Sequence, residues 1–324
     1  MKNLLLISGG GGAEHEVSLR SAMYFKEKID QTLFKVFDVC IEKDKTWTLN
    51  GNECVLNLNA ELSTNKDNFK MDLAIACAHG FPNETGQLPG LFEMIGLPYL
   101  GCNQETSVHC FNKMTTKLWL ESHGIKTTPF VSVASIEDES RVIDFFNDYK
   151  DVFVKATNQG SSVGCYRCKS EKEVKKALKD ALELSPYAVV EKTIEGREFE
   201  LSSFEYNNEI VLTHPCEILA PDDAFYTYEE KYSDKSKTKV DLNAKVEAKL
   251  IKEMKRQALL AFKVLKIRHL ARMDFFISND DEVYLNEINT MPGHTNISMF
   301  PSMMEAHGIK YTDFLRQHLI SLCQ

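Results

Sequence analysis

The sequence predicts an α/β protein with an α+β C-terminal part, and three observations lead there. Short apolar runs near the start, NLLLI, FKVFDVCI and MDLAIACA, alternate with amphipathic stretches, the order of an open parallel sheet flanked by helices. A Gly-rich loop, SGGGG, follows the first run directly and opens a helix. Towards the C-terminus, LARMDFFIS and YLNEIN read as two strands of a hairpin, joined by a polar turn at 278–282.

In chain order, the first strand takes residues 3–7, the loop 8–12 and a helix 13–29. The loop lacks G-x-G-x-x-G spacing, so alone it says little about a dinucleotide. Strands at 34–41 and 71–78 continue the sheet, and the second ends at His79-Gly80. Ligands of open α/β sheets sit beyond the carboxyl ends of strands, which makes His79 a site candidate rather than a core histidine. GLPYLGCN, 96–103, is Gly/Pro punctuation and marks a domain boundary. A single helix is expected over 107–124. DVFVKA, 151–156, is a strand that brings Lys155 to the edge of the small-residue loop TNQGSSVG, whose backbone N–H groups can approach a phosphate closely. Ser170 and Glu173 form a capping box that opens a helix over 171–184. Strands follow at 187–194, 197–206 and 209–219. The stretch 220–243 is polar, long and irregular, the profile of a functional lid. A long amphipathic helix near 245–266 leads into the hairpin.

The chain has 324 residues, enough for two domains or three small ones, and its 43% hydrophobic and 26% charged content suits a globular enzyme. A formal charge of −9 argues against nucleic-acid and membrane partners, which need a basic footprint, but leaves room for a phosphate ligand held by a few lysines and a divalent metal. The apolar run 4–7 is far too short for a signal segment or a membrane span, so a cytoplasmic location is expected. Nine scattered cysteines fit reduced thiols. Cys165 and Cys168 form a C-x-x-C, but no second Cys or His pair stands at zinc-site spacing, and no metal or redox role is expected of them.

On a strand, residues i and i+2 share a face. Glu287 and Asn289 therefore point the same way, as do Arg272 and Asp274. An Asp, a Glu and an Asn side by side make a set of hard oxygen ligands suited to Mg²⁺. The competing reading is a pair of edge strands with a solvated polar face. Lys113 is a second phosphate-ligand candidate, although on its own it reads as a solvated helix lysine.

Seven stretches, in order along nearly the whole chain, then decide the matter. They are AEHEVSLRSA (13–22), HG…E.G…GLFE (79–93), IGLPYLGCN (95–103), KATNQGSSVG (155–164), EKTIEGREFE (191–200), YEEKYSD (228–234) and ARMDFF…LNEINTMPG (271–293). With them the chain resembles the D-alanine–D-alanine ligases of the ATP-grasp superfamily. The resemblance implies an ATP-grasp fold, with the nucleotide held between two sheets. It also implies three domains: an N-terminal substrate domain over 1–102, a central one over 103–190, and a C-terminal metal-binding one over 191–324 that carries the lid.

Residue by residue, the resemblance makes Asp274, Glu287 and Asn289 ligands of two Mg²⁺ or Mn²⁺ ions, and Lys113 and Lys155 phosphate-binding lysines. Glu191, Lys192, Ile194 and Glu198 fall around adenine and ribose. Glu14 would receive the ammonium of the first D-alanine, linked through Ser161 to Tyr232 of the lid, where Lys231 would reach the transferred phosphate. Arg272 would hold the oxyanion, His79 would border the substrate, and Gly293, Ser298 and Met299 would receive the second D-alanine. The implied reaction joins two D-alanines through an acyl phosphate, for peptidoglycan precursors, in a homodimer.

The chain departs from the family pattern in four places: NETG replaces the usual loop after His-Gly, with Asn83 and Thr85 at the changed positions; Pro89 replaces a Gln; the glycine loop GGGG lacks the usual Thr or Ser; and Ala156 follows Lys155 where a Pro is usual. Two rivals are weighed against this reading. Another ATP-grasp carboxylate–amine ligase would keep the metal cluster but not EHEVSL. A decayed nucleotide-binding protein would have lost the charged residues first.

Overall fold

The computed structural model describes residues 1–219 and 238–324. The first strand, β1 (Lys2–Gly9), is fully buried from Leu4 to Ile7 and pairs in parallel with β2 (Phe34–Ile41) on one side; between them runs helix α1 (His15–Lys28). Four short antiparallel strands extend that edge: β3 (Trp47–Leu49), β4 (Asn52–Leu56), β5 (Glu61–Thr64) and β6 (Asn68–Lys70). They are too short and too polar for the sequence to announce. On the other side of β1, β7 (Leu73–Ala76) pairs in parallel, followed through α2 (Gln87–Met94) by β8 (Tyr99–Leu100). The carboxyl ends of β1 and β7 thus deliver Gly9 and His79 to the same edge of the sheet.

The helix expected over 107–124 is two helices, α3 (Gln104–Phe111) and α4 (Lys113–Ser122). Asn112 between them is extended (φ −84°, ψ 106°), and its side chain accepts hydrogen bonds from the N–H groups of Met114 and Thr115. An Asn that satisfies two orphan donors starts a new helix more favourably than it continues an old one. The break gives Lys113 the first position of α4.

Next come β9 (Phe130–Val133), α5 (Glu139–Tyr149), β10 (Val152–Ala156), β11 (Cys165–Cys168), α6 (Glu171–Leu184) and β12 (Ala188–Lys192). Their strands form an antiparallel sheet ordered β11-β10-β12-β9. Val152, Val154, Ala156, Ala188 and Val190 face the core beneath α5 and α6, so the alternate residues Phe153, Lys155 and Glu191 face the other way. Ser170 caps α6 as its sequence signals, accepting from the N–H of Glu173.

The third sheet begins with β13 (Gly196–Tyr206), against which β14 (Glu209–Leu212) and β15 (Cys216–Leu219) both pair. A continuous strand over 209–219 is therefore not formed. Pro215, which cannot donate to a ladder, lies in the break. Of the stretch expected to be a lid, residues 220–237 lie outside the described residues, while β16 (Lys239–Asp241) pairs with β15. Helix α7 (Ala248–Val264) covers the sheet, whose other side of β13 holds β17 (Leu270–Ser278) and then β18 (Val283–Asn289). Helices α8 (Met299–Ala306) and α9 (Tyr311–Ser321) close the fold.

Two of the cores join parts distant in sequence. Leu120 and Ile125 sit in the core of the third sheet with Phe199, Met273 and Phe275. Leu4, Leu6 and Phe25 share a core with Phe204, Phe300, Tyr311 and Phe314. The first and third sheets are consequently packed together through α1, α8 and α9.

Candidate active site

A cleft of about 510 Å³ lies between the second and third sheets, within the range of small-molecule sites. Lys113, Lys155, Glu191, Lys192, Ile194 and Glu198 all line it. The Lys155 ammonium binds Glu191 Oε2 at 2.8 Å. Glu191 is buried, and burial works against its charge, but Lys117 and Lys155 outweigh that and hold its carboxyl down at about 2. The same carboxylate raises Lys155 above the usual lysine range against the effect of burial. Lys113 is not a solvated helix lysine. Its side chain is 17% exposed, and its ammonium meets Glu287 Oε1 at 3.1 Å and donates to the Gln159 carbonyl at 2.7 Å.

Across the cleft, the hairpin places its polar groups in register. Arg272 pairs with Asn289 and Asp274 with Glu287 on neighbouring strands, while Glu200 of β13 stands opposite Asp274 on the other side. Arg272 grips Asp274 with two parallel hydrogen bonds, Nε to Oδ1 and Nη2 to Oδ2, both 2.7 Å, and lies 3.2 Å from Glu200. The Asn289 amide donates to Asp274 Oδ2 at 3.1 Å. These are not solvated edge-strand groups; each is partly or wholly buried. Asp274, Glu287 and Asn289 together offer hard oxygen atoms, and two of the three already face cations: Asp274 faces Arg272 and Glu287 faces Lys113. That donor chemistry fits Mg²⁺ or Mn²⁺.

A second cleft, about 260 Å³, adjoins the first and shares Ser161 and Glu287 with it. Glu14, His79, Arg272, Gly293, Ser298 and Met299 line it. Glu14 occupies the N-cap position of α1, and its carboxylate accepts a hydrogen bond from the Ser161 hydroxyl across 147 residues of sequence. Gly160 makes this approach feasible: a Cβ there would stand 2.9 Å from Glu14 Oε2. Gly293 likewise presents bare backbone to Ser298, whose hydroxyl accepts from the Thr295 N–H at 3.0 Å.

His79 is buried, and burial lowers its pKa, leaving a neutral ring. Its Nδ1 faces the Met291 carbonyl at 2.9 Å, an acceptor only, so Nδ1 carries the proton and Nε2 accepts from the Ser21 hydroxyl at 2.8 Å. His79 thus holds the loop after β18 against the first sheet.

Glu84, in the NETG stretch, performs the same service. Its carboxyl accepts from the Gly80 N–H at 2.8 Å and the Met291 N–H at 3.4 Å. Burial, then the charge of Glu14, pushes its pKa up to about 8. Asn83 donates to the Ala76 carbonyl at 2.8 Å, so the altered loop is well anchored.

Sequence reasoning singled out neither Glu84, Glu200 nor Lys117 as charged groups of the site. A carboxylate between two apolar strand residues, as in FEL at Glu200, is the signal that was available, since alternation turns it away from the core that Phe199 and Leu201 fill. Cys165 lines the first cleft and Cys168 is buried on the opposite face, neither of them in a disulfide. Lys231 and Tyr232 lie outside the described residues.

Two family profiles match the chain: "D-ala D-ala ligase N-terminus" over residues 3–102 and "D-ala D-ala ligase C-terminus" over 119–321. A D-alanine–D-alanine ligase of Shewanella sp. (strain W3-18-1) is 44% identical over 321 residues, 97% of this chain and 95% of that protein. Among solved structures, D-alanyl-alanine synthetase A of Vibrio cholerae superposes with a TM-score of 0.95 at 37% identity, covering 99% of this chain and 98% of the other. A D-Ala:D-Ser ligase of Enterococcus faecalis gives 0.88 at 27% identity, covering 100% and 99%. The chain belongs to the D-alanine–D-alanine ligase family, and its fold is the ATP-grasp fold.

Proposed function

We propose that the two adjoining clefts divide one reaction between them, activation of a carboxylate in the first and attack on it in the second. The protein is an ATP-dependent ligase that joins two D-alanines into D-alanyl-D-alanine for peptidoglycan precursor synthesis, releasing ADP and phosphate. The observation that carries the division of labour is Arg272. It lines the amino-acid cleft while gripping Asp274, which lines the nucleotide cleft.

In this reading Lys113 and Lys155 bind the phosphates, and Glu191, Lys192, Ile194 and Glu198 surround the rest of the nucleotide. Asp274, Glu287 and Asn289 would hold two Mg²⁺ or Mn²⁺ ions, which when bound neutralise phosphate charge during transfer. Glu14 pairs with the ammonium of the first D-alanine, and Ser161 holds Glu14 in place. A carboxylate is a poor electrophile, so ATP converts it to an acyl phosphate before the second amine attacks. Arg272 stabilises the oxyanion that develops, in a buried setting where a positioned donor is worth a few kcal/mol (about 3). Gly293, Ser298 and Met299 border the second D-alanine, with His79 fixing the loop behind them. For Lys231 and Tyr232, outside the described residues, the family resemblance implies a phosphate contact and the third place in the Glu14–Ser161 link. The domain division at 102 and 190, a homodimer and a cytoplasmic location belong to the same reading.

Phosphate release from ATP and Mg²⁺ with D-alanine, L-alanine, or D-alanine plus D-lactate or D-serine, with products identified, tests it. D-alanine-dependent release with D-alanyl-D-alanine formed supports the assignment. Nucleotide binding without release would refute it.

A further inference from the structure

We propose that Lys117 is a positioning residue for the nucleotide: it neutralises Glu191 from behind, so that the charge of Lys155 stays available to the phosphates. The inference rests on reading the first cleft as the ATP site. Lys117 belongs to α4, whose Leu120 is packed into the core of the third sheet. Its side chain leaves that core and crosses to the second sheet. There the ammonium donates to the hydroxyls of Thr127 at 2.9 Å and Thr128 at 2.6 Å, and lies 3.3 Å from Glu191 Oε1. Only 1% of the side chain is exposed, against 12% for Lys155. Of the two lysines, Lys155 alone lines the cleft.

The charges decide what this arrangement does. Glu191 Oε2 receives Lys155 at 2.8 Å and the Thr128 hydroxyl at 3.1 Å, while Oε1 faces Lys117. Two ammonium groups share one carboxylate, which leaves a net positive charge, and the cleft sees it through Lys155. Remove Lys117 and the remaining Glu191–Lys155 pair is neutral. Lys155 is then drawn onto a buried carboxylate that has lost its other partner, and a phosphate has to compete for it. Burial lowers Lys117 to about 8, with Glu191 opposing that shift, so the ammonium form prevails at neutral pH. The same lysine ties α4 to β12, and a purely structural role would follow from that tie alone. The two roles separate in the double variant.

The test uses the full chain with K117M, K117R, E191Q and K117M/E191Q, measuring ATP binding by calorimetry and KM for ATP and for D-alanine. K117M is expected to weaken ATP binding at least about tenfold while KM for D-alanine moves less than about twofold. K117R, which keeps the charge, is expected to recover part of the loss. In the E191Q background, K117M is expected to have no further effect on ATP affinity, because no buried carboxylate remains to be neutralised. That comparison decides the matter even if K117M alone does not fold. ATP affinity unchanged in K117M, or an equal further loss in the E191Q background, would overturn the proposal. A wild-type chain that fails to bind ATP overturns the reading of the cleft instead, and this inference with it.

Discussion

The two clefts meet beside Arg272, at Ser161 and Glu287, and are built in opposite ways. Apart from Lys113, at the start of α4, the nucleotide cleft takes its charged groups mainly from strands: Lys155 from β10, Glu191 from β12, Glu198 from β13, Asp274 from β17. Period-two alternation puts each of them on the cleft side, next to a residue such as Val154, Val190, Phe199 or Met273 that fills a core. The amino-acid cleft takes Glu14 from a helix cap, Ser161 from the loop after β10, and Gly293 and Ser298 from the loop after β18. Nothing periodic positions these. They are held by contacts with one another, Glu14 with Ser161, and His79 and Glu84 with Met291. Strands give a rigid charge pattern; loops give a pocket whose shape depends on a handful of hydrogen bonds.

The largest expected effect falls where the two constructions join. R272A is expected to lower dipeptide formation by about a thousandfold, the scale of a lost oxyanion donor, while ATP binding by calorimetry changes far less. Equal loss of both would make Arg272 a structural partner of Asp274 and Glu200. Next comes the loop-built cleft. S161A is expected to raise KM for D-alanine about tenfold, the value of a charge-assisted hydrogen bond, and to leave KM for ATP nearly unchanged. Parallel rises in both would erase the distinction between the clefts.

A pH titration of stability tests the loop anchors. The folded value of Glu84, about 8, lies above its ordinary 4.5, so the native chain keeps a proton that the unfolded chain has released between those values. Stability contributed by this group is therefore present at low pH and lost as pH rises through about 8. Relative to E84Q, the wild type is expected to lose stability on the order of 3 kcal/mol from about pH 5 to pH 8, read by denaturant unfolding. A constant difference across that range would place Glu84 in a more solvated site. The smallest effect is N112A, which removes the cap of α4 and is expected to cost about 1 kcal/mol, or ~2 °C in Tm. An unchanged Tm would mean the helix break does not depend on the cap.

The same contrast governs what the sequence revealed. The alternation in LARMDFF and the position of Lys155 at a strand end were legible, because a strand face follows from parity alone. Ser170 and Glu173 announced a helix start through local hydrogen bonding. The partner of Glu14 was not legible from residue chemistry, since 147 residues separate it from Ser161; family resemblance alone supplied the pair. Lys113 read as a surface lysine because its burial depends on Glu287, far along the chain. Asn112 is polar in the middle of an apparently continuous helix, and only its capping geometry shows that it ends one helix and starts another. Lys117 stayed hidden for the same reason, being one lysine among several until the fold surrounds it.

One irregularity in β18 has a wider consequence. Asp274 pairs with Glu287 but Phe275 with Leu285, so Asn286 is an extra residue in the ladder. Before it, Val283 and Leu285 belong to the core; after it, Ile288 does. The strand changes its reading frame at Asn286, and only in the shifted frame do Glu287 and Asn289 reach the cleft while Leu285 stays inside. Chain length here is thus as informative as chemistry. Deleting Asn286 would remove no charge and no apolar side chain, yet it would force the strand to choose between a filled core and a usable set of oxygen ligands.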